Sequence, residues 1–182
     1  MLNSRRSIIV VATLLLLSVA CVVSVLADRS ADRSFRNLVV SVDTARIQSI
    51  NIDVFNNDTA LILNKKNGAW VVTVPTGDMD ANQSQVDELL EYLSGIVAVR
   101  QMSNSEQSWA RYGVDGEKCT HIVVNGKKRV LADFYCGKVE FDQQTGQIWT
   151  YVRNADEPNV YKVNGYLNMV TNRSFSTWVR KY

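Results

Sequence analysis

Residues 82–97 read NQSQVDELLEYLSGIV, and here the apolar spacing of the chain changes from two to about 3.6 residues. Asn82 with Gln85 three positions on predicts a helix start in the manner of a capping box. Val86, Leu89, Leu90, Leu93 and Val97 follow at helical spacing, Asp87, Glu88 and Glu91 face the other way, and Gly95 falls near the end. Strand-like runs lie on both sides. One main helix set between runs of strands predicts an α+β fold, a mostly antiparallel sheet with that helix packed on it.

Upstream, Asn37 to Asp43 carries Leu38, Val39, Val40 and Val42 and reads as a strand. Ile50, Ile52 and Val54 alternate with Ser49, Asn51 and Asp53, the period of a half-buried strand over Ile47 to Phe55. Thr59 to Lys65 alternates again, Asn67-Gly68 signals a hairpin, Ala69 to Val74 returns, and Pro75 ends the strand. Downstream, Val97 to Met102 also suits a strand, and Glu106 to Tyr112 a short helix ended by a left-handed Gly113. Thr120 to Val124 and Arg129 to Cys136 flank Asn125-Gly126 as a second hairpin. Val139 to Gly146 reads as polar loop, and Gln147 to Arg153 and Asn159 to Val163 as strands. Tyr166 to Val170 suits a helical turn, with Phe175 and Trp178 as late apolar contacts.

The N-terminus has a different character. Ile8 to Leu26, centred near Leu16, is apolar or small throughout and carries no charge. As a helix it would extend about 28 Å, close to the thickness of a bilayer core. Arg5 and Arg6 precede it, so the positive-inside rule keeps the N-terminus cytoplasmic and sends the remainder across. Two alternatives stay open: a cleaved signal ending at Val25-Leu26-Ala27, and lipid attachment at Cys21. All three place the later residues outside the cytoplasm. The division is then 1–27 for a cytoplasmic stub and transmembrane anchor, 28–36 for a tether, and 37–182 for the exported domain.

The chain has 182 residues, with 20 basic and 18 acidic, and a formal charge of +2. With Arg5 and Arg6 before the apolar run, the exported part is close to neutral. This argues against nucleic acid as a partner and against a polybasic lipid-binding surface.

Taken in order, several marks resemble a bacterial family of domains of unknown function. They are the Ile47…Ile50-Asn51-Ile52 strand, the Asn67-Gly68-Ala69-Trp70 hairpin, Pro75, and Asp80 before the Val86…Leu89-Leu90…Leu93 helix. Tyr112-Gly113-Val114-Asp115, Tyr151-Val152 and Val160-Tyr161-Lys162-Val163 complete the set. Members of the family are membrane-anchored envelope proteins, often encoded beside gliding-motility-type ABC transporter genes. The family often has Pro soon after its Tyr-Gly-Leu-Asp motif, where this chain has Gly116 and Glu117. It also has a Gly in the strand leading from the second hairpin, for which Gly137 stands here. The resemblance implies a single-pass protein of the bacterial inner membrane with a periplasmic domain. It also implies an accessory role beside integral membrane subunits, and brings no catalytic residues.

The chemistry-bearing residues are few. Cys119 and His121 lie two apart on one strand, and Cys136 returns across the hairpin. A disulfide between Cys119 and Cys136 suits an oxidising compartment, with two buried free thiols as the alternative. A zinc site lacks a fourth ligand, and a Cys/His enzyme lacks a group to orient the base. Asp78-Met79-Asp80, read as a loop, offers too few oxygens for a cation site. The other acidic pairs, Asp87/Glu88, Glu140/Asp142 and Asp156/Glu157, read as solvated positions. No metal, cofactor or catalytic residue is therefore expected, and the chain is read as non-enzymatic. The aromatics Trp70, Trp109, Tyr112, Trp149, Tyr151, Tyr161 and Trp178 read mainly as core and its edges. Trp149 and Tyr151 are the candidate interaction surface. The expected function is a non-catalytic, membrane-anchored accessory subunit, most naturally ABC-transporter-associated, that touches the bilayer through its N-terminal helix. The alternative is an envelope module binding glycan or lipid, which requires an exposed aromatic groove around Trp149 and Tyr151.

Overall fold

A computed structural model of the chain describes residues 38–55, 60–165 and 167–181. The apolar run Ile8 to Leu26 and the tether lie outside the described residues, and among those described no helix is long and apolar enough to cross a membrane.

Among the described residues, ten strands form one antiparallel sheet. They are β1 (Leu38–Val40), β2 (Ser49–Val54), β3 (Leu61–Lys66), β4 (Ala69–Val74), β5 (Gly77–Asp80), β6 (Ile96–Ser103), β7 (Thr120–Asn125), β8 (Val130–Phe141), β9 (Ile148–Asn154) and β10 (Val160–Asn164). Their spatial order is β1-β6-β10-β9-β8-β7-β2-β3-β4-β5. Four α-helices accompany them among the described residues: α1 (Gln83–Ser94), α2 (Trp109–Tyr112), α3 (Leu167–Thr171) and α4 (Phe175–Trp178). The mostly antiparallel α+β class read from the sequence is the class observed.

Alternation places one set of side chains inside. Val72, Leu63, Ile50 and Val124 are successive register partners across β4, β3, β2 and β7, and all four are fully buried. Ile52, Ile122 and Phe134 form the next row and are equally buried. α1 buries Val86, Leu89 and Leu93 and packs beside α3 and α4. Asn67 (φ 51°) and Gly68 (φ 86°) make the left-handed pair that a tight hairpin requires between β3 and β4.

Five details differ from the sequence reading. Val97 is not on the helix: α1 ends at Ser94 and Val97 lies exposed in β6. Asn82 does not close a capping box. Its amide nitrogen donates to the Thr177 carbonyl (3.2 Å) and its side-chain oxygen accepts from the Ser84 hydroxyl (2.9 Å), fastening the helix start to the C-terminal segment. Residues 78–80 are edge strand rather than loop, because β4 turns at Pro75-Thr76 and pairs onward with β5. β8 continues through Val139, Glu140 and Phe141, since β9 supplies a partner that the polar composition does not reveal. Trp178 is fully buried as expected, whereas Phe175 is exposed.

Gly137 sits at an irregularity of the β8–β9 register. A Cβ there would lie 2.4 Å from the Tyr112 carbonyl oxygen, 2.6 Å from that of Gly113 and 2.7 Å from Val114. The turn after α2 thus lies against bare backbone. Gly137→Ala should destabilise the domain by about 3 kcal/mol through enforced overpacking. Gly95→Ala, whose Cβ would meet only Leu38 at 3.7 Å, should cost less than about 1 kcal/mol. Urea unfolding of both variants checks the contrast.

Candidate functional site

The outward side of the sheet holds the polar and aromatic groups. Asp53, His121, Tyr135 and Arg153 are successive register partners on β2, β7, β8 and β9. The His121 ring stacks on Tyr135 at 4.3 Å and 8°, and His121 Nε2 lies 2.7 Å from an Asp133 carboxylate oxygen. On the other side of Tyr135, the Arg153 guanidinium lies 4.3 Å from its ring centroid and 3.8 Å from that of Trp109. Arg153 is buried, its Nε donating to the Val114 carbonyl (3.0 Å) and its Nη1 to those of Asn154 (3.2 Å) and Ala155 (3.5 Å). This cation is engaged by three carbonyls and two rings, so its chemistry is to hold the α2 turn on the sheet.

A histidine oriented by a carboxylate needs a nucleophile to catalyse acyl transfer. Cys119, the sequence neighbour proposed for that role, makes no hydrogen bond to His121 among the described residues. Burial pushes its thiol up in pKa, which favours the neutral, unreactive form. Cys136 faces Thr120 across β7–β8, one ladder step from Cys119. Adjacent steps direct side chains to opposite faces. The structure accordingly holds both as buried free thiols rather than as the candidate disulfide. The Cys136 thiol is also driven upward by burial, with Cys119 adding to the shift. Among the described residues, no three His, Cys, Asp or Glu side chains converge as a metal site.

Trp149 and Tyr151 are both half-buried and are covered by the chain itself. The Lys162 ammonium lies 4.7 Å from the Trp149 ring centroid. Tyr151 packs against Tyr112 (4.8 Å between centroids) and donates its hydroxyl hydrogen to Glu140, which also accepts from Lys162 at 3.1 Å. An open aromatic groove is not formed here. Burial and then Glu140 push the Tyr151 phenol up to about 12. The Tyr151 hydrogen bond, followed by that from Lys162, holds Glu140 below the usual carboxylate range.

Sequence reasoning did not assign roles to Asp133 and Arg153. Alternation puts His121 and Tyr135 on polar positions, but their neighbours depend on the pairing of β8 with β7 and β9.

The class defined is a mostly antiparallel α+β domain. A family model described as a domain of unknown function, DUF4340, matches residues 70–182, more than half of the chain. The protein therefore belongs to the DUF4340 family. No curated protein and no solved structure matches it.

Two outcomes follow from these environments. Iodoacetamide at pH 8 should label Cys119 and Cys136 only after denaturation, and native labelling on the time scale of free thiol would contradict their burial. The neutral Tyr151 phenol is favoured by folding, so its contribution is complete below the unfolded phenol value of about 10. That contribution is lost as pH rises through about 12. Glu140 has the opposite sign: its contribution is present above the ordinary carboxyl value and is lost as pH falls through its depressed one. NMR titration of the tyrosine ring carbons should place Tyr151 near 12. Glu140→Gln should bring it down.

Proposed function

We propose that the protein is a non-catalytic, membrane-anchored periplasmic accessory subunit of a larger membrane complex, an ABC-type transporter assembly being the host that the family resemblance favours. Ile8 to Leu26 supplies the anchor, which places the protein in the bacterial inner membrane with its N-terminus in the cytoplasm. The observation that carries the interaction role is the sheet edge at β1 and β6. Leu38 and Val97 are register partners there, Val99 follows two positions on, and all three are about half exposed. Among the described residues, β6 from Ala98 to Ser103 pairs only with β10. An edge with no partner among the described residues, beside exposed apolar side chains, suits strand addition by a partner: backbone hydrogen bonds supply affinity and side-chain pockets supply register. Such an edge left bare would be an aggregation hazard, so a protein partner that covers it also removes that liability.

A second reading, an envelope module for a lipid, loses the aromatic groove expected around Trp149 and Tyr151 and draws instead on one cavity elsewhere. It measures about 550 Å³ and is lined largely by apolar side chains, among them Ile52, Val54, Leu61, Val74 and Phe175. Its size suits part of an acyl chain.

The test is co-purification of the natively expressed, C-terminally tagged protein in mild detergent, with mass spectrometric identification of bound chains. Integral membrane subunits in fixed stoichiometry are expected. Val97→Lys with Val99→Lys should abolish their recovery while thermal unfolding of the domain shifts by only a few degrees. A lone monomer at native expression level rules the subunit reading out. Co-purifying lipid lost on Val54→Trp would move the assignment to the lipid module.

A further inference from the structure

A second concave surface lies where β7 turns into β8. It measures about 510 Å³ and is lined by Arg46, Lys127, Lys128 and Arg129, with Gln48 and Leu131 among the remaining residues. Arg46 comes from the short 3-10 turn Thr44–Arg46, far away in sequence from the hairpin. The two segments are joined by the Gln48 N–H donating to the Asn125 carbonyl (2.7 Å), and the hairpin is closed by Gly126 N–H to the Arg129 carbonyl (2.9 Å). None of the four cations enters an ion pair among the described residues. The nearest carboxylate along the chain, Asp43, is occupied in accepting from the Ala45 N–H at 3.1 Å. Lys65 joins the same end of the sheet, its N–H donating to the Gln48 carbonyl at 2.8 Å. The opposite end of these strands carries Asp53, Asp115 and Glu117 against one cation, Lys118. A domain close to neutral overall is therefore basic at one end.

We propose that this concavity docks on the phosphates of anionic lipid headgroups, laying the basic end of the domain on the bilayer that holds its anchor. The inference rests on the anchor reading above. All four cations are exposed and the surface is open, with Val130 exposed at its edge. That form suits an extended anionic surface; enclosure of a single free anion would call for buried, converging donors. The chain length is also suitable. Residues 27–37 separate the apolar run from β1, and at up to about 3.6 Å per residue they reach no further than about 40 Å. Each Lys or Arg near an anionic leaflet strengthens attachment about five-fold, so four act together by several hundred-fold.

The test uses the full chain in nanodiscs, either neutral phosphatidylcholine or the same lipid with 30% phosphatidylglycerol, read by amide hydrogen exchange. Exchange at residues 44–48 and 126–131 should slow at least about ten-fold in the anionic discs only, and 0.5 M NaCl should reverse it. Combined Arg46→Gln, Lys127→Gln, Lys128→Gln and Arg129→Gln should abolish the slowing and leave exchange in α1 unchanged. Equal rates in both discs overturn the proposal. Equivalent slowing by 10 mM inorganic phosphate in neutral discs also overturns it, by marking a free-anion site. A chain that enters neither disc overturns the anchor reading alone. Its sedimentation with phosphatidylglycerol but not phosphatidylcholine vesicles would then uphold docking, and sedimentation with neither would end it.

Discussion

The buried apolar row Val72, Leu63, Ile50 and Val124 is the constraint from which the architecture follows. Strand side chains alternate with period two, so a slip of one residue in any of these pairings would turn a whole strand inside out. Fixing that row fixes its neighbours. Ile52, Ile122 and Phe134 fall in line beside it, and α1 has a dry surface on which to bury Val86, Leu89 and Leu93. The cost of a slip is large because several fully buried side chains would be exposed at once, each worth about 1.5–3 kcal/mol.

The same alternation decides the character of the other face. Asp53, His121, Tyr135 and Arg153 project away from the buried rows, and most of that face would be ordinary solvated sheet. The α2 turn changes part of it into a second, smaller packing region. Tyr112, Val114 and Val160 are buried together, and Arg153 lies between Trp109 and Tyr135. A guanidinium buried in this way is stabilised by the three carbonyls it meets as well as by the rings, which offsets its loss of hydration. Close approach of the turn depends on Gly137, where no side chain intervenes. Arg153, with Trp109 and Tyr135 on its two sides, is thus occupied in holding a short helix against a sheet.

This division of labour bears on function. Trp149, Tyr151, His121 and Arg153 each have partners within the chain. Among the described residues, two surfaces of another kind stay exposed: the apolar edge at Leu38, Val97 and Val99, and the basic concavity around Arg46 and Lys127 to Arg129. The proposed contact with a protein strand rests on the first and the proposed contact with lipid headgroups on the second.

By itself the sequence determined the class and most of the elements. Period-two runs gave strands, the 3.6-residue spacing through Val86, Leu89 and Leu93 gave the helix, and Asn67-Gly68 gave a hairpin, because these signals act between residues close along the chain. The DUF4340 match spans residues 70–182, which include Tyr112-Gly113-Val114-Asp115 and Val160-Tyr161-Lys162-Val163. Tertiary structure decided what depends on pairing between distant strands. It extended β8 beyond Cys136 to Phe141, made β5 a strand, held Cys119 and Cys136 as separate buried thiols, and gave His121 its partner Asp133. It also brought Arg46 to the Lys127–Arg129 turn, a juxtaposition invisible in a nearly neutral composition. The physical reason is common to all of these. Local propensity sets which face a residue occupies, but only the register of partners far apart in the chain sets what that residue meets there.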